Sequence, residues 1–200
     1  VTTVFSDRHV DYLSCCWPRL MEASAFLNSV DVIMFSNNET EVPSSTIDMT
    51  RQLFSKNPNF EFQFASDEEL QEIRQTAQKS IRFQMGANLG VKMGFSKRWF
   101  SKYDWVVRIN PDVLIRNSTW LEKAAMVDES LDGIFAKCSE KPQRIHTDFF
   151  AFRPRALKPD AFAQMVVQPH TTNLYNHEYT AYKEFSPILE EGNFRFLPNT

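Results

Sequence analysis

Glycine is scarce in this chain, with five residues in 200, and Ser6-Asp7-Arg8-His9, which follows the first apolar run, contains none. A glycine-rich phosphate loop after a first strand is therefore absent, which leaves a nucleotidyltransferase only as an alternative reading. Cysteine is also sparse. Cys15, Cys16 and Cys138 make an odd count with an adjacent pair, poor material for disulfides. No CxxC spacing suggests zinc, so the three read as small core residues. There is no excess of basic charge: the formal net charge is -3, which argues against a general nucleic-acid binder. No signal peptide and no apolar run of membrane-spanning length is present, so no membrane insertion is expected. The chain reads as a soluble protein of a reducing compartment, and the glycosylation patterns at Asn38 and Asn117 read as chance. Internal repeats, low-complexity tracts and linkers are likewise missing, and the expectation is one domain over residues 1–200.

Aromatic residues, by contrast, are abundant at 14%, eighteen of them Phe, which implies a well-filled core and an aromatic-lined cleft. The most informative stretch is Tyr103–Trp120. Trp105-Val106-Val107 reads as a buried strand that breaks at Asn110-Pro111-Asp112 and resumes as Val113-Leu114-Ile115. Proline cannot donate to a sheet ladder, so the strand must end or bulge there. The break sets two short oxygen-bearing side chains one residue apart at the carboxyl end of a strand. Ligands in open α/β sheets bind at such ends, and hard divalent cations carrying phosphates take oxygen ligands. The same residues would equally serve as a polar turn capping a strand.

Strand and helix patterns alternate along the chain. Strands are expected at Thr2–Phe5, Val30–Phe35, Phe60–Phe64, Gly133–Ala136, Phe149–Phe152 and Phe194–Leu197. Helices are expected at Tyr12–Leu27, Ser45–Phe54, Thr119–Val127 and Asn176–Glu190. Ser66-Asp67-Glu68-Glu69 looks like a cap and acidic first turn. It opens a long helical stretch to about Lys102, interrupted at Gly86, Gly90 or Gly94. This order predicts an α/β fold with a mixed, mostly parallel central sheet flanked by helices. Matching strand rise to helix rise puts residues 79–88 level with Asp112. Lys79 and Arg82 could there meet phosphates held by a metal at Asp112, or could be ordinary solvated charges.

The first strand's end at Ser6-Asp7-Arg8, the strand end at Asn110-Pro111-Asp112, and His146-Thr147-Asp148-Phe149-Phe150-Ala151-Phe152-Arg153-Pro154 together resemble a GT-A-fold nucleotide-sugar glycosyltransferase. In particular the pattern looks like the amino-terminal glycosyltransferase domain of a large chlorella-virus protein. The resemblance covers nearly the whole chain through short motifs whose order and spacing carry it.

The resemblance implies a single GT-A-like, Rossmann-related domain. It would move a hexose or deoxyhexose from a UDP-sugar to a hydroxyl of a glycan or glycoprotein acceptor. Phe5, Ser6, Asp7 and Arg8 would surround the base. Asn110 and Asp112 would take the Asp-x-Asp positions around Mn²⁺ or Mg²⁺, with asparagine in place of the first aspartate. A histidine ligand would come from His170 or His177. Asp148 would face the acceptor and the reacting carbon, as general base or charge stabiliser, with Glu178 as the second carboxylate. Asp148 as a strand cap and Glu178 as a solvated helix residue are the plain structural readings beside these. The expected setting is cytoplasmic, the host cytoplasm if the chain is viral, within a longer polypeptide. A non-catalytic domain that binds nucleotide-sugar or glycan is the other alternative, kept open by Asn110.

Overall fold

The computed structural model describes residues 1–4, 6–36, 42–76, 82–137, 143–163 and 177–197. The elements run β1 (Thr2–Thr3), α1 (Asp7–Ala23), α2 (Ala25–Ser29), β2 (Val32–Ser36), α3 (Ser44–Leu53), β3 (Phe60–Phe64), α4 (Asp67–Thr76) and α5 (Arg82–Ser96). They continue β4 (Val106–Ile109), α6 (Thr119–Met126), β5 (Gly133–Lys137), β6 (Ile145–Phe152), α7 (His177–Glu184), α8 (Ser186–Glu191) and β7 (Phe194–Phe196). β1, β2 and β3 pair in parallel in that order, and β4, β6, β5 and β7 form a second ladder in which β6 alone is antiparallel to its neighbours.

The two ladders meet at β1 and β4. The Val1 nitrogen donates to the Val107 carbonyl at 2.6 Å, and the Ile109 N–H donates to the Val1 carbonyl at 3.0 Å. That pair of bonds flanking Arg108 is the spacing of a parallel ladder. The order across the molecule is therefore β3-β2-β1-β4-β6-β5-β7, a mixed and mostly parallel sheet as the alternation predicts. The chain leaves β1 toward β2 on one side, while β4 lies on the other. The crevice at the carboxyl ends of β1 and β4 is thus a topological switch point, where ligands of open α/β sheets bind.

Cross-strand partners share a face. Val106 lies opposite Phe152 and Arg108 opposite Phe150, so Arg108 faces the same side as the main aromatic core. There Phe185 packs against Phe135 at 4.9 Å, Phe150 at 5.1 Å, Phe162 at 5.2 Å and Phe152 at 5.3 Å between ring centroids. The opposite face buries Ile109, Phe149 and Ala151 with Leu121 of α6. An apolar cavity of about 500 Å³ lies among α1, α2, α6 and the amino-terminal ends of β2 and β4, lined in part by Trp17, Phe26 and Trp105. Asn110, Asp112 and Asp148 do not line it.

Several elements differ from expectation for local reasons. α1 begins at Asp7, after an extended Ser6, and ends at Ser24, whose hydroxyl accepts the Leu27 N–H and starts α2. Cys15 is exposed and Cys16 half-buried rather than core, and Cys138 lies outside the described residues. The Ser66 cap forms as expected: Ser66 N–H donates to Glu69 Oε2 at 2.6 Å, and Glu69 N–H to Ser66 Oγ at 3.3 Å. Residues 113–115 do not resume the strand, because Val113 N–H turns back to the Asn110 carbonyl at 3.1 Å. The carboxyl-terminal helix divides at Phe185, with Pro187 in the first turn of α8.

α5 runs unbroken through Gly86, Gly90 and Gly94. Gly94 serves close packing instead of a break, since a Cβ there would lie 2.0 Å from the Phe100 ring. Gly94→Ala should therefore cost about 1–3 kcal/mol through overpacking. Gly192 has φ +78°, and a Cβ there would meet nothing within 4 Å, so Gly192→Ala should cost about 1 kcal/mol from conformation alone. Urea midpoints of the two variants check the order, and a Gly94→Ala protein as stable as wild type would contradict the packing.

Candidate functional site

β4 ends in a buried cation beside two polar side chains. Arg108 is 1% exposed, sits mid-strand, and donates from Nη2 to Asn110 Oδ1. Asn110 in turn donates from Nδ2 to Asp148 Oδ1. The main chain fixes this pairing, since the Asn110 N–H donates to the Asp148 carbonyl at 2.8 Å and places Asn110 directly across from Asp148. His146 Nδ1 lies 3.4 Å from Asp148 Oδ2 and accepts the Asp148 N–H at 3.3 Å. Arg108, Asn110, Asp148 and His146 thus form one polar row on the face that further down is packed with Phe150 and Phe152. Alternation along β6 makes the row possible, because His146, Asp148 and Phe150 point the same way.

Burial pushes the Arg108 guanidinium down to about 10, against the opposing pull of the Asp148 and Asp112 carboxylates. It stays charged at neutral pH. Its Nε and Nη1 are buried with no hydrogen-bond partner among the described residues.

Asp112 is exposed in the turn beyond Asn110, behind the buried Pro111. Its charge also reaches His9 in the first turn of α1. Burial holds the His9 imidazole below its ordinary value, Asp112 opposes that, and Arg8 adds to it. The start of α1 and the Asn-Pro-Asp turn therefore adjoin across the crevice. Within that start, Ser6 is the N-cap residue and makes no side-chain capping bond. Arg8 is exposed and donates from Nε and Nη2 to the Tyr12 hydroxyl at 3.0 and 2.8 Å. The Asp7 carboxylate is turned elsewhere: it accepts the Ser45 hydroxyl at 3.1 Å and the buried Thr46 hydroxyl, clasping α1 to α3.

Glu178 at the start of α7 lies 3.7 Å from Arg144 Nη1. Arg144 precedes β6 and lies two residues before His146, so the Arg144–Glu178 pair stands at the start of the strand that carries His146 and Asp148. Phe5, Lys79, His170 and the side chains of Arg82 and His177 lie outside the described residues. Arg108 is not among the residues singled out from the sequence, and His146 enters there only as part of the motif around Asp148. A charge inside the apolar run Trp105–Ile109 was the available signal for Arg108, and alternation back from Asp148 was the signal for His146.

Among the described residues no three His, Cys, Asp or Glu side chains come together as a metal cage. The exposed Asp112 carboxylate fits a hard cation shared with a diphosphate, which needs only one or two protein carboxylates. Asn110 offers less, because its oxygen already accepts from a cation.

No sequence-family model matches the chain, and no curated protein matches it in sequence. Solved structures do resemble it. Core-mannan synthase A from Aspergillus fumigatus, in a Mn/GDP form, superposes with a TM-score of 0.58 at 7% identity, over 98% of this chain and 71% of that one. The galactosyltransferase LgtC, in complex with donor and acceptor sugar analogs, gives 0.56 at 12% identity, over 98% and 73%. A 4-diphosphocytidyl-2C-methyl-D-erythritol synthase from Anaerococcus prevotii gives 0.54 at 9% identity, over 98% and 84%. The fold is therefore GT-A-like, a mixed α/β sheet flanked by helices. The narrower resemblance to the chlorella-virus domain is carried by motifs alone. No described helix is long and apolar enough to cross a membrane.

His9 gives the site a measurable pH dependence. Its folded-state value is lowered, so its contribution to stability is complete above the unfolded value of about 6.5 and is lost as pH falls through the folded value. His9→Gln should lose less stability than wild type between about pH 7 and pH 5. Equal losses in urea titrations would contradict the burial of His9 beside the crevice.

Proposed function

We infer that this chain is a divalent-cation-dependent glycosyltransferase that moves a hexose or deoxyhexose from a UDP-sugar to a hydroxyl of a glycan acceptor. One observation carries the reading. The exposed Asp112 and the row Arg108–Asn110–Asp148 stand together at the carboxyl end of β4, at the switch point of a GT-A-like sheet. The Mn/GDP form of one fold neighbour and the donor and acceptor analogs bound to another support it.

The residues divide the work as follows. Asp112 would hold Mn²⁺ or Mg²⁺, which when bound would neutralise charge on the departing diphosphate as a Lewis acid. Ser6 and Arg8 lie beside the nucleotide at the amino end of α1, a helix terminus that favours anions. Lys79 and Arg82 are proposed on the phosphate side. Asp148, about 42% exposed in its side chain, reaches the acceptor side, taking a proton from the hydroxyl or steadying positive charge at the anomeric carbon. Glu178, paired with Arg144, is proposed as the second carboxylate. A nucleotidyltransferase is the second reading, favoured by the fold likeness to an enzyme that builds a diphosphocytidyl product.

Calorimetry with UDP and with GDP, each with and without Mn²⁺, tests the donor side. Mn²⁺-dependent UDP binding should weaken about tenfold or more in Asp112→Ala, and unchanged affinity would overturn the assignment. Asp148→Asn should keep UDP affinity within about threefold while turnover of UDP-sugar falls about 10²–10⁴-fold. Full turnover in that variant would make Asp148 a strand cap.

A further inference from the structure

Asparagine in the first position of the strand-end motif invites the view that one metal ligand has been weakened. The geometry says otherwise. Asn110 Oδ1 points back to a guanidinium that is itself buried, and Asn110 Nδ2 points forward to a carboxylate. Both ends of the amide are used, and they are used in the one orientation that lets a cation and an anion on the same face be bridged. An aspartate could accept from Arg108 but could not donate to Asp148; with a carboxylate at 110, two negative groups would face each other across β4 and β6. Asparagine is the short side chain that has an acceptor for Arg108 and a donor for Asp148.

We propose that Asn110 is a positioning residue, not a metal ligand: with Arg108 it forms a relay that fixes the Asp148 carboxylate, and the cation is held from the protein side at Asp112 without it. The inference rests on the nucleotide-sugar reading for its catalytic consequence, whereas the relay itself is a property of the folded chain. A cation approaching Asn110 Oδ1 would compete with the Arg108 guanidinium for the same oxygen and would meet its repulsion. Asp112 lies two residues on and exposed; it feels the Arg108 charge, but the guanidinium's hydrogen bond goes to Asn110. Two of the three Arg108 nitrogens have no partner among the described residues, so the bond to Asn110 is its one hydrogen bond there and holds the amide's orientation.

The two views of Asn110 predict opposite results for Asn110→Asp. If asparagine is a weakened ligand, restoring the carboxylate should strengthen Mn²⁺-dependent UDP binding about tenfold or more. If it is the relay, UDP affinity in Mn²⁺ should rise by no more than about threefold. The kcat should then fall about tenfold or more with donor KM nearly unchanged, because the interaction lost acts on Asp148 and not on donor binding. Calorimetry with UDP and MnCl₂ reads the first quantity and UDP-sugar turnover the second. A tenfold gain in affinity overturns the proposal, as does unchanged kcat.

A double-mutant cycle on unfolding separates failure of the relay from failure of the functional reading. Asn110→Ala, Asp148→Ala and the double variant should be non-additive by at least about threefold in the unfolding equilibrium constant. Additive effects overturn the relay whatever the nucleotide does. If wild type binds neither UDP nor GDP with Mn²⁺, the nucleotide-sugar reading fails, and the cycle alone decides the relay.

Discussion

A guanidinium buried in the strand that joins the two halves of the sheet is the constraint on which the rest of this site depends. Arg108 lies between the two main-chain bonds that connect β1 to β4, and only 1% of it is exposed. Burial depresses it to about 10. Because the folded value is the lower one, the penalty is present at every pH below about 10 and is complete at neutrality. At ~1.4 kcal/mol per tenfold change it is on the order of 3 kcal/mol. Two nitrogens without partners add to that cost. A chain that needed only packing at this position would place an aliphatic side chain there, as it does at Val106 two residues earlier on the same face.

What the cation brings is order at the crevice. β4 and β6 are antiparallel neighbours, and their register puts Arg108 across from Phe150 and Asn110 across from Asp148. The aromatic core below is thereby continued upward by polar groups on the same face, ending at a half-exposed carboxylate. β1, on the other side of β4, delivers the amino end of α1 to the same edge, where Asp112 and His9 feel one another. Asp7 holds that end in place by clasping the buried Thr46 of α3. Two sheet halves and one helix terminus thus converge on a single crevice.

The parts of this arrangement that are local in sequence were legible in it. Pro111 inside an apolar run announces a strand end, and the alternation of elements announces a mostly parallel sheet. What needs pairing across long separations was not legible. Asp7 reads as a loop carboxylate until α3, nearly forty residues away, is packed against it. Gly94 reads as a break until Phe100 is seen lying where its Cβ would be. Residues 113–115 have strand composition, yet the turn at Asn110 takes them out of the ladder. Arg108 was overlooked because most arginines are solvated, and only its place between Val107 and Ile109 marks it as buried.

The claim that Arg108 is retained for the site and not for stability is tested most directly by Arg108→Met, measured for both urea unfolding and UDP-sugar turnover. Replacing a buried ion by an apolar side chain of similar volume is often neutral or stabilising. The account predicts an unfolding free energy unchanged or raised, with turnover reduced about 10²-fold, since the charge that orders Asn110 and Asp148 is gone. A loss of about 3 kcal/mol or more would make Arg108 a structural ion. Turnover equal to wild type would contradict the account outright.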